Sequence, residues 1–116
     1  MIELVPLARA ICKRYYLVYP DEQKRYGAAG ADWCRHDMQW LLSWAVADMI
    51  GVTELDEQAC WLARVLDSRD FPMGRLVRGL RLAAQVIRDS NIDPAGPAIA
   101  ERLDHAAGAV ENLALG

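Results

Sequence analysis

Apolar side chains recur along this chain three and four residues apart, and no stretch of useful length alternates as a strand would. The first stripe passes through Leu4, Leu7, Ala8, Ile11, Cys12, Tyr15 and Val18. It predicts a helix over 2–19, closed by Pro20. The following DEQKRYGAAGAD mixes charges with Gly27 and Gly30 and reads as a loop or a loosely wound lead-in. A long helix is predicted over 31–50, apolar nearly all round beyond Met38, as expected of a central, fully packed helix. Gly51 stops it, and Thr53 with Asp56 resembles a capping box opening a third helix that reaches about Leu66. DSRDFP (67–72) predicts a turn, 73–88 a fourth helix, and SNIDPAGP (90–97) a second loop. Pro97 suits the first position of a last helix to about Leu113. The pattern therefore predicts an all-α bundle of about five helices, one domain over 1–116, with no internal repeat.

Composition narrows the possible partners. Apolar residues make up 53% of the chain and charged residues 25%, which suits a folded core and leaves apolar surface for a partner or a bulky ligand. A net charge of −3 gives no general attraction to nucleic acid. Gln39, Ser43 and Asp48 interrupt the longest apolar run, 38–50, which is shorter than the roughly 20 residues of a membrane span. MIELVPLARA does not read as a signal peptide. Three cysteines, at 12, 34 and 60, show no paired spacing, so no disulfide framework is expected and a reduced, cytoplasmic setting is. Cys12 and Cys60 fall in apolar helical stripes and read as core.

The densest chemistry lies in WCRHDMQWLLSW, residues 33–44. On a helix Cys34, Asp37, Leu41 and Trp44 share one face. A ligand lying along it can be bonded by the thiol, the one strong soft nucleophile of the stretch, and hydrogen-bonded by the carboxylate. Cys34, His36 and Asp37 do not make a catalytic relay, because residues i and i+2 point apart on a helix. No enzyme is predicted. His36 and His105 lack a metal-ligand spacing with other candidate ligands. Arg75, Arg78, Arg81 and Arg88 form a basic stripe on the fourth predicted helix, either a solvated face or a clamp for carboxylates. Trp33, Trp40, Trp44 and Trp61 can surround a flat ligand or fill the core.

WCRHDMQWLLSW resembles the bilin-attachment segment of the phycobiliprotein family: Cys, two residues, Asp, then an aromatic-Leu run. Four further blocks look like that family in its order: ARAICKRYYLVYP (8–20), GVTELDEQ (51–58), FPMGRLVRGL (71–80) and AERLDHAAGAVENL (100–113). The resemblance covers nearly all of the chain and implies a globin-like helical fold. It implies that Cys34 forms a thioether to ring A of a linear tetrapyrrole and that Asp37 bridges the inner pyrrole nitrogens. The bilin could be phycocyanobilin, phycoerythrobilin or biliverdin. His36 stands where the family usually has an arginine for a bilin propionate, and Trp33 where some members have a lysine for the same task. Trp40 and Leu41 match positions packed beside the chromophore. Arg35 is expected to supply the lost cation, with Arg75 and Arg78 as further propionate partners.

The chain also departs from the family pattern. It begins where the family is about a third of the way through, without the helices that clasp a partner subunit. A homodimer or another helical subunit is therefore expected to cover the surface this leaves. No cysteine follows Cys60, so the second bilin site of some members is not expected. The leading expectation is a small light-absorbing, photosensory or bilin-carrying protein. The alternatives are a chromophore-free helical interaction module that keeps the fold, and a non-covalent haem or bilin chaperone.

Overall fold

The computed structural model describes residues 3–115, in which five helices and no strand occur: α1 (Leu4–Val18), α2 (Asp21–Met49), α3 (Leu55–Asp67), α4 (Met73–Asp89) and α5 (Gly96–Leu115). The predicted first-helix start at residue 2 lies outside the described residues. The helices form a slab with extents of 38 × 32 × 19 Å. Its shortest dimension is that of two helix layers, each about 10 Å across. No helix among the described residues is long and apolar enough to cross a membrane.

α4 and α5 form the central pair and share the largest interface. α4 is the most sharply amphipathic element, burying Leu76, Val77, Leu80, Ala83, Ala84, Val86 and Ile87 along one side. Ala83 and Ala84 meet an α5 face built from Ile99, Ala100, Leu103, Ala106, Ala107 and Val110. Small side chains let two helix axes approach closely. Of the basic stripe on α4, Arg81 pairs with Glu111, and Arg88 lies 2.8 Å from Asp104. These two arginines thus join α4 to α5. α1 packs on α2 and α4 through Ala8, Ile11, Cys12 and Tyr15, while α3 leans mainly on α5.

Three local expectations are corrected. Residues 21–30, read as a loop or a loosely wound lead-in, are regular helix on either side of a break and form the first part of α2. Tyr19 caps the end of α1, and Pro20 stands at the N-cap of α2. Proline has no amide hydrogen to satisfy there, and Asp21 and Glu22 in the first turn oppose the positive end of the helix dipole. The helix breaks only at Gly27, whose φ of 60° and ψ of −148° are accessible essentially to glycine alone. Just past the break, a Cβ at Gly30 would lie 2.3 Å from that of Tyr26, so the chain needs glycine there as well.

The second correction concerns the end of α2. It buries Met38, Leu41, Leu42 and Ala45 but leaves Trp40 half exposed and Ile50 largely exposed, so it is amphipathic rather than packed on all sides. Third, Thr53 and Asp56 make no capping box. Glu54 takes the N-cap position without a side-chain bond, and the Leu55 N–H donates instead to Asp48 Oδ2 at 2.7 Å. Asp48, 3.2 Å from Arg102, thereby ties the end of α2 to the starts of α3 and α5.

Candidate functional site

A cavity of about 360 Å³ opens where α1, both parts of α2, the end of α3 and the start of α4 converge. The break at Gly27 shapes it, because it turns the first part of α2 across the opening and brings Glu22 and Tyr26 to the wall. Met38, Leu41, Leu62, Leu66 and Leu76 supply an apolar floor. Cys34 and Asp37, one turn apart on α2, both line it, as the shared-face reading requires, whereas Trp44 does not.

The other candidates divide in the same way. Trp33, His36 and Arg75 line the cavity together with Cys34, Asp37 and Leu41. Arg35, Trp40 and Arg78 are not among its lining residues: Arg35 pairs with Asp32, and Arg78 is exposed on α4. Trp40 holds His36 from outside by donating its indole N–H to His36 Nε2 at 3.1 Å. That bond leaves the imidazole proton on Nδ1, which faces Asp37 Oδ1 at 3.5 Å. Burial pushes the Asp37 carboxyl above its ordinary range. The hydrogen bond from His36 and the positive charge of Arg69 only partly offset this. A half-buried carboxylate with one long contact retains unused acceptor capacity.

The inner wall carries a second polar cluster. Glu22 is the buried charged residue of the described chain, with 5% of its surface exposed. It accepts hydrogen bonds from the Tyr15 hydroxyl and from Arg75 Nη1, the latter at 2.7 Å. Arg75 also reaches Asp21 at 3.0 Å and lies over the Tyr19 ring, 4.3 Å from its centroid. The guanidinium is therefore already engaged by two carboxylates of its own chain. Arg69, at the exposed rim, is the lining arginine for which the described residues show no ion pair.

Cys34 sits between this cavity and the core. The neighbouring Cys12 thiol on α1, together with burial, pushes the Cys34 thiol well above the ordinary thiol range. Cys34 in turn holds the Cys12 thiol below its ordinary value, against the effect of burial. Cys12 belongs to the core cluster as expected, and Cys60 packs against it half-buried.

Tyr15, Glu22, Tyr26, Arg69 and Phe71 are site residues that sequence reasoning missed. Glu22 and Tyr26 lie in the segment read as a loop, and Arg69 and Phe71 in the DSRDFP turn. One usable signal was present: Phe71 is the chain's single phenylalanine, set in an otherwise polar turn.

No protein-family model, curated protein or solved structure matches the chain.

Proposed function

We propose that the protein is a bilin-binding relative of the phycobiliproteins and that the α1–α2–α4 cavity holds part of an extended tetrapyrrole. The observation that carries this reading is the shared placement of Cys34 and Asp37 in one apolar-floored cavity, with Asp37 half-buried and short of donors. Pyrrole N–H groups are the kind of partner such a carboxylate lacks, and charge-assisted bonds of this type contribute about 1.5–3 kcal/mol each. When bound, the bilin supplies visible absorption and an exocyclic double bond to which the Cys34 S–H can add, giving a thioether without any oxidant.

The residues present fit this group. Asp37 accepts, Leu41, Leu62, Leu66 and Leu76 exclude water, and Trp33, 60% exposed at the mouth, offers an aromatic face to whatever protrudes. Ligand pockets span about 300–1,000 Å³, so a cavity at the lower end encloses only part of a long chromophore. Arg69 is better placed than Arg75 to meet a propionate, because Arg75 is neutralised by Glu22 and Asp21. The reading keeps a cytoplasmic setting and a homodimer or helical partner over the exposed Val5, Leu17 and Val18 of α1.

One observation favours a second reading, non-covalent carriage of the same ligand class. The neighbouring Cys12 thiol and burial hold the Cys34 thiol protonated, so it is a poor nucleophile. Co-expression with a haem oxygenase, a bilin reductase and a panel of bilin lyases separates the readings. Pigment that survives denaturation, adds one bilin mass and disappears in Cys34→Ala supports the thioether. Pigment lost on denaturation supports carriage. A colourless chain of unmodified mass, with haem oxygenase active, refutes both and leaves a chromophore-free interaction module.

A further inference from the structure

The part of α2 that turns across the cavity is attached unlike the rest of the fold. Among the described residues, no apolar side chain between Tyr16 and Cys34 belongs to the hydrophobic core or packs against it. Of residues 21–26, Glu22 is buried, Tyr26 is half-buried and the others are exposed, yet Glu22 and Tyr26 both line the cavity. Polar contacts therefore hold this wall in place. Glu22 accepts from the Tyr15 hydroxyl on α1 and from Arg75 Nη1 on α4 at 2.7 Å, and Asp21 accepts a second bond from Arg75 at 3.0 Å.

Both ends of the segment suit a hinge. Gly27 has φ 60° and ψ −148°, and nothing lies within 4 Å of a Cβ placed there, so the chain can turn at this point without striking a neighbour. At the other end Tyr19 leaves the helical region with φ −124° and ψ 68°, immediately before Pro20. Segments with few buried apolar contacts open at the low end of local free energies, well short of global unfolding. We infer that residues 21–26 form a strap, latched shut through Glu22, whose opening admits ligands to Cys34 and Asp37 while the core stays folded.

The latch joins moving and fixed parts: Glu22 and Asp21 travel with the strap, whereas Tyr15 and Arg75 stay on α1 and α4. Lifting the strap removes the wall at Glu22 and Tyr26 and lengthens a cavity of about 360 Å³ that, closed, encloses only part of an extended ligand. Its use by a tetrapyrrole rests on the proposed function; the strap itself does not.

The test needs no bilin. Native-state hydrogen exchange and labelling with a neutral maleimide are followed across a urea series below the unfolding transition. The chains are the wild type and Tyr15→Phe, which deletes one latch bond and changes no charge. In the wild type, strap amides and Cys34 are expected to react at rates that urea barely alters. Amides of α4 and α5, and the core thiol Cys12, are expected to react only through openings that urea strongly promotes. Tyr15→Phe is expected to speed strap exchange and Cys34 labelling together by about tenfold, the low end for losing a hydrogen bond to a charged group. Cys60, which does not line the cavity, supplies the reference labelling rate. Strap amides that share the urea dependence of α4 and α5 overturn the inference, a result the wild type gives without any variant. So does Cys34 labelling that stays within about twofold in Tyr15→Phe, since access then bypasses the latch. A colourless chain in the co-expression experiment bears on the proposed function alone.

Discussion

Replacing Tyr15 by Phe removes one oxygen from the junction of α1, α2 and α4 and leaves the ring in place. Tyr15 is 4% exposed, and its hydroxyl donates to Glu22, whose carboxylate also accepts from Arg75 at 2.7 Å. A hydrogen bond to a charged group contributes about 1.5–3 kcal/mol. Phe opens no sizeable cavity and Arg75 still pairs with Glu22, so the expected loss is near the lower end, about 1.5 kcal/mol. For a domain of this size, about 4 °C per kcal/mol makes that a fall of roughly 6 °C in Tm. Glu22→Gln keeps an oxygen acceptor but removes the charge, so the Tyr15 bond becomes an ordinary one contributing about 0.5–1.5 kcal/mol. Tyr15→Phe should therefore cost about 0.5 kcal/mol less in the Glu22→Gln background than in the wild type. Urea unfolding of the four chains, followed by tryptophan fluorescence at pH 7, measures this coupling. Equal costs in the two backgrounds, or a wild-type cost below about 0.5 kcal/mol, would refute the assignment of Tyr15 and Glu22 as a buried bonded pair. Alkaline titration offers an independent check. Burial, then the bond to Glu22, raises the Tyr15 pKa far above its ordinary value. The folded chain thus holds this proton more tightly than the unfolded one. That contribution is full below the unfolded pKa of about 10 and is lost as pH rises beyond it, and Tyr15→Phe should lack this loss.

Asp37→Asn is expected to raise the Tm of the ligand-free chain at pH 7. Burial raises the Asp37 pKa, so its stability contribution is full below the unfolded value of about 3.9 and lost as pH climbs through the folded one. The advantage of Asn should vanish below about pH 4, and melting curves showing Asn less stable at pH 7 would contradict a half-buried carboxylate short of donors. Gly27→Ala should cost about 1–3 kcal/mol in urea unfolding. The added Cβ meets nothing within 4 Å, so the whole effect is backbone strain, and a change below about 0.5 kcal/mol would show that the break in α2 does not require glycine.

The five-helix architecture was legible in the sequence because helical burial repeats with a period the chain displays directly. The stripe Ala8–Ile11–Cys12–Tyr15 is the buried face of α1, and the alternation along 73–88 is that of α4. The pairing of Cys34 with Asp37 was legible for the same reason: one turn of helix places them together whatever surrounds it. Local chemistry misled at 21–30, where charges and two glycines suggested a loop. Pro20, Asp21 and Glu22 start a helix well, and Gly27 breaks it without ending it. What stands opposite Cys34 and Asp37 was decided only by tertiary structure. Glu22 meets Arg75 across 53 positions, and Tyr15 of α1 reaches Glu22 across the α1–α2 interface. Helical period fixes which residues share a face but not the axial shift or rotation of one helix against another. Those follow from how whole faces interdigitate, and here they place Arg69 and Phe71 at the cavity while leaving Arg35 and Arg78 away from it.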